Sequence, residues 1–381
     1  MATRSTSVSL RLRAPERSFH LPAAVKASIL DAIRHNRFAI GMDYDRTMVN
    51  TDEKNRIFPP LAEDKSGVIA PLGALCMLGI PIAIFSGNKP SYLRSLGVAG
   101  LRSWLQARGK IEAMQNFCVY SQNSTWLTRY DSFGNEIESV SDEYAKKYLF
   151  PPQHIEAIED AFRFAIDKVT HSRGVRFMKE TPMLIRPEGS KEEHKAYGPI
   201  FEKRGNVQLS WIAVPGGLRE EIIKEALKKL SKKMRALYHF EPGGQFSVDI
   251  NHKGVAKHIG TLHFRKATFR KDADSSLLMY FGDSVYERGG YKGNDLPVID
   301  DPNAVVFAVN PDQSEIPEHD RIIKAGIGPD ATAAWLTWVL TKYASIRFAT
   351  KGVTLAEKMK IIEAITASGL VEEPRLLEEI G

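Results

Sequence analysis

Cysteine is almost missing from this chain: two occur in 381 residues, Cys76 and Cys118, both inside apolar stretches. That excludes a disulfide framework and a cysteine-rich zinc site, and it suits a reducing compartment. Long apolar runs are missing too. PLGALCMLGIPIAIF (71–85) is punctuated by Gly and Pro and falls short of the ~18 residues a membrane span needs, so a soluble, cytoplasmic protein with no membrane partner is expected. No internal repeat at solenoid periods and no low-complexity tract occurs. There is no strong excess of one charge either: 52 basic residues stand against 46 acidic ones, for a net +6. This favours anionic partners, with phosphorylated metabolites explaining it as easily as nucleic acid. In the densest basic stretch, KEALKKLSKKMR (224–235), Ala226, Leu227, Leu230 and Met234 keep helical spacing, so its lysines read as a solvated face. With no aromatic RNA-binding signature or zinc-finger spacing beside it, no nucleic-acid partner is expected.

What is present is an ordinary globular composition, 43% hydrophobic and 26% charged, long enough to bury a sizeable core. The first fifteen residues, MATRSTSVSLRLRAP, carry Arg and Ser without an acid. Such a segment reads either as an organelle transit peptide or as a short disordered terminus. A helix over 22–35 precedes the strand FAIGM. A second helix, at 68–78, precedes the strand IPIAIFSG. NFCVYSQNSTWLT then runs into a hairpin with its turn at Phe133-Gly134-Asn135. Strands alternating with helices predict a parallel α/β sheet.

After about residue 145 the texture changes. A helix (151–171), strands in 174–187 and 206–214, a second helix (216–233) and strands in 235–242 and 245–251 succeed one another. This αββαββ order predicts a small antiparallel sheet with helices on one face, and the polar stretch PEGSKEEHKAYGPIFEKRG (187–205) reads as an exposed loop. From about 255 the α/β texture returns, so one domain is interrupted by another. The expected division is an amino-terminal extension with a helix (1–35), a first core part (36–145), an inserted domain (146–253), a second core part (254–345) and a helical tail (346–381).

In open α/β sheets ligands sit at the carboxyl ends of the strands. The first strand ends in Asp43 and Asp45 (DYDRT), and the second in Ser86-Gly87-Asn88. A later strand ends in Gly282-Asp283, followed by Asn294-Asp295 (GDSVYERGGYKGND). Two carboxylates one residue apart repel, so a cation or a phosphorylated group belongs beside them. A lysine just past the interruption, in NHKGVAKHIG, balances the set. Lys257 is preferred to Lys253, because Lys257 opens a helix and Lys253 ends a strand in solvent. Alone, each piece has a structural reading: Asp43 and Asp45 as turn caps, Ser86 as a helix N-cap, Asp295 as a loop closure.

Taken in order, these residues resemble the haloacid dehalogenase (HAD) superfamily of phosphotransferases. The matching motifs are DxDxT at Asp43–Thr47, a strand-end Ser at Ser86, a lysine before a helix at Lys257, and GD with a following ND at Asp283 and Asp295. The insertion resembles the C2-type cap of the Cof-like and phosphomannomutase-like branch, and GGQFSVDINHKGVAK is similar to the phosphomannomutase stretch GGQxSxD followed by GxxK. The resemblance spans roughly residues 36–345. It implies a Rossmann-like core with an inserted α+β cap and an Mg²⁺-dependent phosphatase acting through an aspartyl-phosphate. By the same resemblance Asp43 is the nucleophile and Asp45 the general acid/base, while Asp43, the Asp45 backbone carbonyl and Asp283 hold the metal. Ser86, Gly87 and Lys257 hold the phosphoryl oxygens, and Asn294 and Asp295 support them from behind. In the cap, Ser247 and Asp249 would meet the substrate, and Arg186 or Arg204 would clamp a distal anion or simply lie on an exposed strand face.

Three departures stand out. Arg46 stands where the family usually has Gly, the stretch between Asp283 and Asp295 is long enough that its loop must bulge, and the mutase cap pattern survives only as KRGNVQLSWIAVPGGLR. A phosphatase of a small phosphorylated metabolite, with a sugar phosphate as first choice, is therefore expected. A sugar phosphomutase, a nucleotide phosphatase and a non-catalytic binding protein are the alternatives. Tyr130, Trp126 and Trp211 would stack a base in a nucleotidase, or else simply pack the core. His252, His258 and His263 lack metal spacing and read as satisfied or exposed imidazoles. The oligomeric state is left open.

Overall fold

The computed structural model describes residues 20–50, 67–88, 90–139, 146, 148–174, 183–185, 194–196, 199–204, 208–212, 214, 216–243, 247–288 and 291–370. The basic segment 1–15 and Arg186 lie outside them. Five strands come first: β1 (Phe38–Asp43), β2 (Ile82–Phe85), β3 (Phe117–Ser121), β4 (Trp126–Tyr130) and β5 (Glu136–Ser139). Six follow in the middle of the chain: β6 (Met183–Ile185), β7 (His194–Ala196), β8 (Ile200–Arg204), β9 (Gln208–Ile212), β10 (Tyr238–Gly243) and β11 (Ser247–His252). The last are β12 (Leu277–Gly282), β13 (Glu287–Arg288), β14 (Tyr291–Lys292), β15 (Ala304–Ala308) and β16 (Ile322–Lys324). The principal helices are α1 (Ala23–Arg34), α2 (Ile69–Met77), α3 (Ala99–Gln106), α4 (Pro152–Ser172), α5 (Arg219–Lys229), α6 (Lys232–Leu237), α7 (Lys257–Phe269), α8 (Gly328–Ala349) and α9 (Leu355–Ala367).

The large sheet has the order β16-β15-β12-β1-β2-β3-β4-β5. Pairings from β16 to β3 are parallel and those of β4 and β5 antiparallel, so the expected α/β sheet ends in the expected hairpin. Every residue of β1 is buried, yet its side chains still alternate. Phe38, Ile40 and Met42 join the core shared with α1, α2, α8 and α9, whereas Ala39 joins Leu278, Tyr280 and Phe264 on the opposite face. A strand covered on both sides must be apolar throughout, which is why FAIGM shows no polar alternation. The chain leaves β1 through β2 and β3 on one side and returns through β12, β15 and β16 on the other. At such a point the strand ends splay and open a crevice. Asp43, the last residue of β1, lies at it.

The second sheet, β10-β11-β9-β8, is antiparallel. Leu209, Trp211, Val248 and Ile250 pack on one face against Ile158, Phe162 and Ala165 of α4 and Ile222 and Ala226 of α5. Among the described residues the elements run α4, β6, β7, β8, β9, α5, α6, β10, β11, two strands and one helix more than the expected αββαββ order. β8 lies in the stretch read as an exposed loop; its Glu-Lys-Arg end looks like a loop in sequence, but Phe201 packs its ring 5.1 Å from Trp211. Of the strand expected in 174–187, β6 is described, and it pairs with β7 in a separate ribbon. The helix expected over 216–233 breaks after Lys229, because Leu230 is extended and Ser231 Oγ accepts the Met234 amide at 3.2 Å, capping α6, which runs three residues into the strand expected over 235–242 before β10 begins. β16, at three residues, was not anticipated at all. Met234 and Ala226 are buried while the lysines around them face outward, as the amphipathic pattern requires. Among the described residues no helix is long and apolar enough to cross a membrane.

Candidate functional site

Each motif arrives on the end of a core element. Asp43 closes β1 at 6% exposure, and its Oδ1 accepts the amide of Tyr44 at 2.7 Å. Lys257 opens α7 and is 3% exposed. A cation at a helix amino terminus opposes the helix dipole, so its place depends on anions nearby. They are present: Lys257 Nζ lies 2.7 Å from Asp43 Oδ2 and 2.9 Å from Asp295 Oδ1, and it donates to Asn294 Oδ1 at 3.3 Å. Lys257 is thus the lysine that reaches this cluster.

Asp295 is the most firmly held of the carboxylates. Its Oδ1 also accepts from Tyr280 Oη at 2.6 Å, and its Oδ2 from the Ser284 amide at 3.0 Å. The long segment before it does bulge, folding as the β13–β14 ribbon. The ribbon returns the chain so closely that a Cβ on Gly293 would sit 1.9 Å from the Ser284 carbonyl, and one on Gly282 would sit 2.5 Å from Asp295 Oδ2. Glycine is required at both positions for Asp295 to reach the site.

Asp43, Asp283 and Asp295 each offer an oxygen within 4.8 Å of the others, and all three are buried. Burial raises the Asp43 carboxyl well above the usual carboxylate range; Lys257 pulls it back, while Asp295, Asp283 and Asp45 push it further up. Asp283 is pushed up to about 6 by burial and by Asp295, against the pull of Lys257 and Arg46. Burial opposes the charge of Lys257, but Asp295 and Asp43 more than offset it and hold the ammonium above the ordinary lysine value. One ammonium thus faces a cluster richer in negative charge than it can neutralise. A buried set of hard oxygen donors with unmet negative charge fits a divalent cation such as Mg²⁺.

Ser86, 1% exposed at the end of β2, accepts the Asn88 amide on its Oγ at 3.1 Å. Asn88 itself carried no role in the sequence reading. Its side-chain Nδ2 donates to Asp45 Oδ2 at 2.8 Å, so one residue ties the second motif to the first. Asp45 Oδ1 is buried without a partner, and burial raises this carboxyl against the pull of the Asn88 hydrogen bond, Lys257 and Arg46. Gly87 lies against Asn123, whose Oδ1 would be 3.2 Å from a Cβ there. No local pattern signals Asn88 or Tyr280; both act across strands.

Ser247 and Asp249 are on β11, on the face opposite the helices, and Asp249 accepts from Ser210 Oγ at 2.6 Å. The Arg204 side chain, like Arg186, is outside the described residues. His263 is satisfied by Tyr120 Oη at 2.8 Å, as anticipated, but Nδ1 of His252 and of His258 is buried without a partner. Tyr130 and Trp211 are buried in the two cores, which favours packing over base stacking.

No family model matches the chain, and no curated protein does. Solved structures do. An amino-terminally truncated IMP-nucleotidase of Plasmodium falciparum is 16% identical, covering 82% of this chain and 73% of that one at a TM-score of 0.51. The IMP-bound form is 15% identical, covering 86% and 76% at 0.51. A trehalose-6-phosphate phosphatase of Aspergillus fumigatus is 12% identical, covering 84% and 99% at 0.49. The chain shares the overall fold of the IMP-nucleotidase.

Proposed function

We propose that the protein is a phosphoric monoester hydrolase that acts on a small phosphorylated metabolite. The observation that carries this reading is the contact of Lys257 Nζ with both Asp43 and Asp295 inside the buried acidic cluster. Lys257 pulls the buried Asp43 carboxyl back towards the anion that an oxygen nucleophile requires. Asp43 attacks phosphorus and forms an aspartyl-phosphate, and Ser86, the Gly87 amide and Lys257 hold the phosphoryl oxygens. Asp45 protonates the leaving oxygen and then takes a proton from the water that hydrolyses the intermediate. Asp43, the Asp45 carbonyl and Asp283 are assigned to hold Mg²⁺, which when bound would neutralise phosphoryl charge. Asp295, with both oxygens already engaged, instead fixes Lys257, and Asn294 assists it. Residues 146–253 are assigned as the cap, with Ser247 and Asp249 towards the substrate.

Phosphate release from a panel of sugar phosphates and nucleoside monophosphates, with an aryl phosphate as generic substrate, tests the reading. Nucleotides belong in the panel because the IMP-nucleotidase has this fold. Turnover that requires Mg²⁺ is expected. No turnover of any of them at adequate protein and metal favours a binding protein, and interconversion of hexose phosphates without phosphate release favours a mutase.

Two further results are expected. Adding Mg²⁺ to chelator-treated protein raises Tm by several degrees, since a ligand at a hundred times its Kd contributes about 2.7 kcal/mol. The same addition to Asp283→Asn gives a smaller rise, seen by scanning calorimetry. Asn88→Ala releases Asp45, so kcat falls roughly 10- to 100-fold with KM nearly unchanged. Equal loss in KM instead would place Asn88 in substrate binding.

A further inference from the structure

Arg46 is a cation that neither the nucleophile, the acid/base nor the metal assignment uses. It sits in the turn after β1 with its Nη1 4.0 Å from Asp283 Oδ2, and its side chain is 43% exposed. Its backbone is left-handed, with φ at 56°. That conformation penalises a residue with a Cβ, and glycine would hold the turn without strain, so the turn itself gives no reason for an arginine here.

The charge of the cluster does give one. With all four ionised, Asp43, Asp45, Asp283 and Asp295 outnumber Lys257, and a divalent ion added to that ammonium still leaves one negative charge. Arg46 cancels it, and it does so from the flank of Asp283, the carboxylate assigned to the metal. Two cations drawn to one carboxylate oppose each other, whereas an incoming phosphate group is attracted by both. Lysine at the helix start is buried and already bonded to two acids, so the half-exposed guanidinium is the more accessible member of the pair. Its planar donors suit a phosphate oxygen better than a second lysine would.

We propose that Arg46 is a resident cation of this centre, weakening divalent-ion binding at Asp283 while strengthening the hold on a phosphate group. The inference rests on the reading of the cluster as a metal and phosphate site. It is tested on the full-length protein with Arg46→Gln, which removes charge and keeps the strained backbone, and Arg46→Gly, which removes both. Mg²⁺ is titrated calorimetrically without phosphate, and inorganic phosphate is then titrated at saturating Mg²⁺. Both substitutions are expected to tighten Mg²⁺ at least about fivefold and to weaken phosphate at least about fivefold. Constants that stay within about twofold of wild type, that move alone or together in one direction, or that differ between Gln and Gly overturn the assignment. If wild type binds both ions and the variants match it, only the role of Arg46 fails. If wild type binds neither, the metal and phosphate reading fails with it.

Discussion

Asp43→Asn yields a folded protein whose phosphate release falls by at least about three orders of magnitude. The amide has the shape of the carboxylate and its oxygen still accepts the Tyr44 amide, so local structure has little reason to change. What disappears is the anion. An amide oxygen cannot form the acyl phosphate, and the proposed route through a covalent intermediate closes. The substitution also removes one negative charge from a buried cluster in which every carboxyl crowds its neighbours. Metal-free Asp43→Asn therefore melts close to the wild-type temperature, unlike a core substitution. Far-ultraviolet circular dichroism, calorimetry and steady-state phosphate assays together check this. Residual turnover above about one part in a hundred would remove Asp43 from the nucleophile role.

Lys257→Met acts on both stability and turnover. The methionine fills similar volume but leaves Asp43 and Asp295 facing each other without the ammonium that touches both, in a place 2% exposed. Removing one partner of a buried ion pair costs about 3–5 kcal/mol, because the remaining charge keeps its desolvation penalty. In a chain of this size that lowers Tm by about 4–6 °C in chelator. Adding Asp295→Asn removes one stranded charge and recovers part of the loss, a coupling that independent sites would not show. Turnover is expected to be absent in both variants, since Asp43 loses the cation that pulls it towards the ionised form. If Lys257→Met melts within about a degree of wild type, the two ion pairs are not formed in solution.

Much of the core was readable from sequence for local reasons. FAIGM and SLLMYFGD are uninterrupted apolar runs ending in aspartate, and both became central parallel strands with the acid at the tip. The middle of the chain was less legible. β8 escaped because the charged residues that follow Phe201 in sequence hide the single ring that packs on Trp211, and the helix break at Leu230–Ser231 lies within a continuous lysine-rich pattern. Asn88 and Tyr280 escaped for another reason: asparagine after a strand or tyrosine within one is ordinary, and only their hydrogen bonds to Asp45 and Asp295 distinguish them.

By itself, then, the sequence determined which side chains stand at the ends of the elements, because hydrophobic period, turn residues and helix starts depend on near neighbours. The meeting of Lys257 with Asp43 and Asp295, the fit of Asp295 against Gly282, and the tie from Asn88 to Asp45 were decided only by tertiary structure. The order of strands around β1 brings these distant residues together, and that order follows from how the whole core packs on both faces of the sheet.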